Sequence, residues 1–293
     1  MNIGYVGLGN MGGALAQRLA LTHRLRVFDL RPEAMQALSA RNCTPVQSIA
    51  ALGAECGVVM TCLPTSDDVH RAVFESGGLA EGMGAGGIVI DQTTGDPNAT
   101  RALASELAER GIRLIDAPVS GGRQGADAGT IAIMVGASDA DYAEVLPLLH
   151  AISPNVFHCG STGAGHVMKL VNNAIAACVS AATFEAVAMG VKNGLDFARA
   201  AEVLNKASGR SYISENVLSA LTAGPNSVGF GLALMHKDVR LATRLGADSG
   251  APLFVANVVR ELYQASLTHL GVEADSSELI HTMERNADVK VVP

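Results

Sequence analysis

The run IGYVGLGNMGGAL, residues 3–15, constrains the fold more than any other stretch. A short apolar strand runs into Gly7, Gly9 and Gly12, spaced G-x-G-x-x-G, and helix-forming residues follow at once. In that context the first glycine permits the tight turn, the second lets the backbone approach a pyrophosphate, and the third lets helix and strand pack closely. The helix start adds unpaired N–H groups and a positive dipole end for the phosphates. Leu8, Asn10 and Met11 fill the rest of the turn and are expected against the same dinucleotide.

Asp29 ends the next apolar run, RLRVFDL, 20 residues after Gly9. A carboxylate there would hold the adenosine ribose hydroxyls of NAD and repel a 2′-phosphate. Arg31, two residues on, could instead pair with the phosphate of NADP. The expected cofactor is NAD, with NADP as the alternative.

Up to about residue 160, short apolar runs alternate with helical patterns. GVVMTCLP, GGIVIDQ, IRLIDAP, IAIMVG and NVFHCG read as further buried strands. NMGGALAQRLAL, RPEAMQALSA, SDDVHRAVF, PNATRALASELAERG and SDADYAEVLPLLHAI read as helices. Such alternation predicts an α/β fold, a doubly wound and largely parallel Rossmann sheet. After STGAG only helical periodicity remains, broken at NGLD, SGRS, TAGPNS and SGAP. We expect a dinucleotide-binding domain over 1–162 and an all-α domain over 163–293. The second is entered by a long helix at about 165–193, roughly 40 Å in length.

Composition removes several classes. The 293 residues carry a net charge of −7 and no basic patch, which argues against a nucleic-acid partner. Five cysteines at irregular spacing, with no C-x-x-C pair, suit free thiols in a reducing cytoplasm. No charged-then-apolar leader is visible, which fits the same cytoplasmic expectation. The apolar segment 170–191 carries Asn172, Asn173, Ser180, Thr183 and Glu185, so a core helix is expected there rather than a membrane span. None of the eight histidines lies in a metal-ligand pattern, and no metal is expected.

Three further stretches carry chemistry. Leu63 and Pro64, in CLPTSDDV, and Thr93 and Thr94, in DQTTGDP, follow strands at the edge where a cofactor would lie. Helix capping by Thr94 or Asp96 is the competing reading. Ser120, Gly121 and Gly122, in DAPVSGGRQGA, offer a hydroxyl and turn amides as a cradle for a substrate carboxylate. Arg123 follows directly and could reach the far end of a substrate, or be solvated. In GAGHVMKLVNN, Lys169 and Asn173 share a helix face and Asn172 lies about 60° off it. A desolvated lysine exchanges a proton near neutral pH, and a neighbouring asparagine can hold it or the substrate oxygen in register. The bland alternative is a lysine snorkelling to solvent from the first turn.

In that order GYVGLGNMG, DAPVSGG, GAGHVMKLVNN and HKDVRLA resemble the four signatures of the β-hydroxyacid dehydrogenases. That is the 3-hydroxyisobutyrate dehydrogenase family, which includes tartronate semialdehyde and glyoxylate reductases. The resemblance spans essentially the whole chain. It implies a Rossmann domain, a helical substrate and oligomerisation domain, and a homodimer or homotetramer. It also implies hydride exchange between a nicotinamide and a small β-hydroxyacid or its semialdehyde. Lys169 then matches the catalytic lysine and Asn173 its support. Ser120, Gly121 and Gly122 match the substrate turn, and Thr94 and Lys237 match cofactor contacts. An arginine at position 123 is outside the shared pattern. Alternatives are a tartronate, glyoxylate or succinic semialdehyde reductase, an imine reductase, or a non-catalytic dinucleotide-binding module. Lys169 argues against the last two.

Overall fold

The computed structural model describes residues 2–39, 41–225 and 228–293. Ala40, the end of one expected helix, and Asn226 and Ser227, in the expected TAGPNS break, lie outside the described residues. The chain forms two compact units, one ending at Lys169 and one running Leu170–Pro293.

Among the described residues the first unit is built on nine strands: β1 (Ile3–Val6), β2 (Leu25–Phe28), β3 (Cys43–Pro45), β4 (Val58–Thr61), β5 (Ile88–Asp91), β6 (Arg113–Asp116), β7 (Val119–Ser120), β8 (Ala132–Gly136) and β9 (Val156–Gly160). They order as β3-β2-β1-β4-β5-β6-β8-β7, with β9 also on β8. The first six are parallel and follow the doubly wound dinucleotide-binding order. β8 then runs antiparallel to β6 and β7. β1, β4 and β5 are buried along their whole length, as central parallel strands covered on both faces must be.

Alternate strand residues feed two cores. Tyr5, Met60, Ile90 and Ile115 join one cluster, while Val6, Val59, Val89 and Leu114 join the other. Helices α1 (Asn10–Leu19), α2 (Pro32–Gln36), α3 (Ile49–Glu55), α4 (Ser66–Phe74), α5 (Leu79–Gly82), α6 (Pro97–Ala108), α7 (Gly122–Ala128) and α8 (Asp139–His150) complete this unit. Strand order reverses beside β1, so the segments after β1 and β4 meet at the carboxyl edge. A Cβ on Gly7 would stand 2.3 Å from the Cys62 carbonyl oxygen.

Helix α9 (Ala164–Lys192) is the expected long helix, displaced by one residue at each end. It is the one helix among the described residues with the length and composition to cross a membrane. Its Ala177, Ala181, Phe184 and Ala188 instead enter the core of the second unit. The remaining helices there are α10 (Phe197–Leu204), a π-helical turn (Ile213–Leu218), α11 (Ser219–Leu221), α12 (Leu232–Ser249), α13 (Phe254–Leu270), a 3-10 turn (Ser276–Glu278) and α14 (Leu279–Ala287). The boundary between the units falls inside α9, seven residues beyond the expected one, because its first turn is bonded into the sheet edge.

Candidate active site

The Gly-rich turn separates three glycine requirements. Gly7 has a positive φ of 89°, and a Cβ on Gly12 would meet the Gly7 carbonyl oxygen at 2.0 Å. Backbone conformation and packing therefore fix both. Gly9 has an ordinary φ of −65°, and a Cβ there would meet nothing closer than the Arg31 guanidinium at 3.9 Å. The fold itself gives Gly9 no reason to be glycine, and the space beside it is open to an approaching phosphate. Gly9 is also the N-cap of α1 and supplies no side-chain cap, so the first-turn amides face the same space. These residues fit a dinucleotide.

Asp29 is bonded into that turn. Its Oδ2 accepts the Leu8 amide at 2.7 Å, and its Oδ1 accepts the Arg31 amide at 2.9 Å and Arg31 Nε at 3.2 Å. Burial pushes the Asp29 carboxyl up, but these amides and the guanidinium outweigh it and hold it below the usual carboxylate range. An anion therefore stands at the end of β2.

The ends of β4 and β5 form one hydrogen-bonded lattice. Asp91 Oδ1 accepts the Thr61 hydroxyl at 2.9 Å and the Thr93 amide at 3.0 Å. Thr93 Oγ1 accepts the Leu63 amide at 3.0 Å. Tyr5 donates to Gln92 Oε1 at 2.6 Å beneath them. The Cys62 thiol is half-buried, and desolvation and the nearby Asp91 push it up to about 12. The cap of α6 is Asp96, whose Oδ1 accepts the Asn98 amide, so the capping role falls to Asp96 rather than Thr94.

Gly121 and Gly122 have φ of 134° and 66°, conformations that L side chains rarely adopt, and a Cβ on Gly122 would meet nothing within 4 Å. Ser120 closes β7, a two-residue strand where a turn is expected from sequence, and α7 starts at Gly122. Arg123 turns toward the cofactor turn. Its Nε lies 3.0 and 2.9 Å from the two Asp127 carboxylate oxygens, and its Nη1 donates to the Asn10 carbonyl at 2.9 Å.

The start of α9 is anchored by residues the sequence reading did not single out. Asp116, fully buried at the end of β6, accepts the Gly163 amide on Oδ1 at 2.6 Å and the His166 amide on Oδ2 at 2.8 Å. It caps the helix from a distant strand. Burial pushes its carboxyl up, against the lowering influence of His166 and of the two amides. Gly165 is required here, since a Cβ would stand 2.3 Å from the Met134 carbonyl oxygen. His166 is fully buried. Its Nε2 donates to the Thr93 carbonyl at 2.7 Å and its Nδ1 lies 2.8 Å from the Thr100 hydroxyl. Asp91 and Asp116 flank the ring at 3.9 and 4.0 Å. Three residues on, Lys169 is only 7% exposed, so it is buried rather than snorkelling.

In the second unit Asn173 is buried and its amide donates to Asp238 Oδ2 at 2.5 Å, while its Oδ1 accepts from Asn172 at 2.9 Å. Lys237 Nζ pairs with Asp238 Oδ1 at 3.1 Å.

A doubly wound sheet with a glycine-rich first turn, followed by a helical unit, is the architecture of a class of nicotinamide-dependent dehydrogenases. Comparison with known proteins narrows it. Residues 2–160 match the NAD-binding domain of 6-phosphogluconate dehydrogenase, and residues 163–283 match the NAD-binding region of NADP-dependent 3-hydroxyisobutyrate dehydrogenase. The chain is 35% identical to 2-(hydroxymethyl)glutarate dehydrogenase of Eubacterium barkeri, over 99% of this chain and 97% of that one. It is 34% identical to the NAD-dependent L-serine dehydrogenase of Pseudomonas aeruginosa, over 94% and 95%. The structure of Mycobacterium tuberculosis 3-hydroxyisobutyrate dehydrogenase with L-serine superposes with a TM-score of 0.84 at 30% identity, covering 96% and 98%. The chain belongs to the 3-hydroxyisobutyrate dehydrogenase family. It is an NAD(P)-dependent β-hydroxyacid dehydrogenase.

Proposed function

We propose that the substrate has the form HO–CH₂–CH(R)–COO⁻ and that Lys169 exchanges the hydroxyl proton. The observation that carries this reading is the burial of Lys169 one turn inside a helix whose start is bonded to the sheet edge. A lysine held out of water is suited to proton exchange near neutrality and to stabilising a developing alkoxide. Ser120 and the amides of the Gly121–Gly122 turn receive the carboxylate. Asn173, one turn further along the same helix, keeps the lysine and the reacting oxygen in register, with Asn172 beside it. When bound, the nicotinamide supplies the hydride acceptor, or donor in the reverse direction.

The substrate form is supported by the relatives. L-serine and 2-(hydroxymethyl)glutarate, named for two of them, and 3-hydroxyisobutyrate differ only in R, which is an ammonium, a carboxyethyl or a methyl group. Tartronate semialdehyde, whose reduction gives HO–CH₂–CH(OH)–COO⁻, tests the reducing direction, and glyoxylate and succinic semialdehyde, whose products lack that form, test the alternative substrates. For the cofactor we favour NAD. The Asp29 anion opposes a 2′-phosphate, and Arg31, the competing cation, is already committed to Asp29. Gly7, Leu8, Gly9, Asn10, Met11, Gly12, Leu63, Pro64 and Thr94 line the cofactor in this reading, with Lys237 carried over from the resemblance. Arg123 holds the substrate turn to Asn10 instead of touching substrate. The five cysteines are free thiols, which suits the cytoplasm, and we expect a homodimer or homotetramer.

The test is a panel of these substrates with NAD and with NADP, following the absorbance of the reduced nicotinamide. We expect turnover of at least one HO–CH₂–CH(R)–COO⁻ compound, faster with NAD. No turnover of any HO–CH₂–CH(R)–COO⁻ compound or its semialdehyde with either cofactor would refute the reading.

A further inference from the structure

His166 sits inside GAGHVMKLVNN but has been given no part in the chemistry so far, yet it is fully buried and both ring nitrogens are engaged. A carbonyl oxygen only accepts, so the contact of Nε2 with the Thr93 carbonyl puts a proton on Nε2. That bond ties the first turn of α9 to the residue between Gln92 and Thr94. Thr93 is the hub of the strand-end lattice: its amide donates to Asp91 and its hydroxyl accepts the Leu63 amide. The turns at Leu63–Pro64 and Thr93–Thr94 are the ones expected at the sheet edge against the cofactor. The helix turn that follows His166 carries Lys169. The ring therefore joins the support of the cofactor-facing turns to the support of the proton-transfer group.

We infer that His166 is a positioning residue for the reaction, acting through the Thr93 carbonyl to hold the cofactor-facing turns in register with Lys169. This deepens the proposed function and rests on it. The Nδ1 contact with Thr100, by contrast, anchors the ring to α6 and is structural. The Thr100 hydroxyl also has the Asp96 carbonyl within 3.0 Å, so it keeps a partner when the ring nitrogen is lost. A shift of reacting groups by about an ångström costs up to about a hundredfold in rate even when its source is remote from the chemistry.

The two nitrogens can be separated by substitution. Glutamine places its amide N–H near the position of Nε2 and can keep the Thr93 bond. Asparagine reaches only the position of Nδ1 and loses it. Steady-state kinetics and Tm of cofactor-loaded wild type, His166→Gln and His166→Asn decide the question. We expect kcat of the Asn variant to lie about tenfold or more below that of the Gln variant, with substrate KM within about threefold and similar Tm values for the two. A Gln-to-Asn ratio under tenfold, or a kcat loss that merely follows Tm, overturns the inference. If His166→Asn does not fold, His166→Gln decides alone: kcat within tenfold of wild type upholds the role and a larger loss in folded protein overturns it. Wild type that turns over no substrate refutes the proposed function instead, so the two failures are distinct.

Discussion

The side-chain amide of Asn173 donates to Asp238 Oδ2 at 2.5 Å, and both residues are almost fully buried. Asp238 also pairs with Lys237. Removing the carboxylate leaves a buried donor and a cation without it, at about 1–3 kcal/mol. Asp238→Ala should therefore lower Tm by several degrees in a calorimetric scan. Asp238→Asn, which still offers Asn173 an oxygen, should lose less. An unchanged Tm in the alanine variant would show the bond to be worth nothing net.

Lys169→Ala should reduce kcat by about 10²–10⁴-fold, the usual size for a lost proton-transfer group. The cofactor Kd, read by fluorescence titration, should stay within about threefold. Lys169→Arg should not recover the rate, because a guanidinium does not release a proton in a protein. An alanine variant keeping more than a tenth of wild-type kcat contradicts the assignment.

Asp29→Ala should narrow the preference for NAD over NADP in kcat/KM. The substitution removes a negative charge from the end of β2 and frees Arg31 from its carboxylate partner. A wild-type preference for NADP of tenfold or more would mean that Arg31, not Asp29, sets the choice.

Arg123→Ala should weaken turnover of all substrates alike, by at most about fivefold, because its bonds run to Asp127 and Asn10 and its side chain is about a third exposed. A larger loss confined to substrates with a second polar group would place the guanidinium on the substrate after all.

Glu284 gives a pH prediction. Burial pushes its carboxyl up, but the bond from His281 and the amides of Val292 and Val291 outweigh it and hold it below the ordinary value. A carboxylate depressed in the folded state contributes stability above its unfolded pKa of about 4.3, and loses it as pH falls through the folded value. The Tm difference between wild type and Glu284→Gln should be widest near neutrality and close below about pH 4. A gap that stays constant down to that acidity would show that the effect of the substitution is not electrostatic.

Elements with a strong period were legible in the sequence. β1, β4 and β5 read as continuous apolar runs because both of their faces are covered. The short pieces did not announce themselves. β3 has only three residues and β7 two, and α7 is hidden in GRQGADA, where two glycines mimic a loop. The glycine turns and Lys169 stood out because glycine and buried lysine are locally unusual. His166 did not, since a lone histidine carries no spacing signal. Its partners Thr93 and Thr100 are 73 and 66 residues away and meet it only through the sheet.

The cap on α9 has a consequence for dividing the chain. Asp116 is fully buried, and its two oxygens take amides 47 and 50 residues further on. A fragment stopped at the last strand would lose both those amides and the helix turn that covers the carboxylate, at about 1–3 kcal/mol. The nucleotide-binding half is thus not self-sufficient at the end of its sheet. Any attempt to express it alone, or to splice it onto another helical partner, must carry the helix through His166, and the compact unit itself runs on to Lys169, so the natural exchangeable piece includes the lysine.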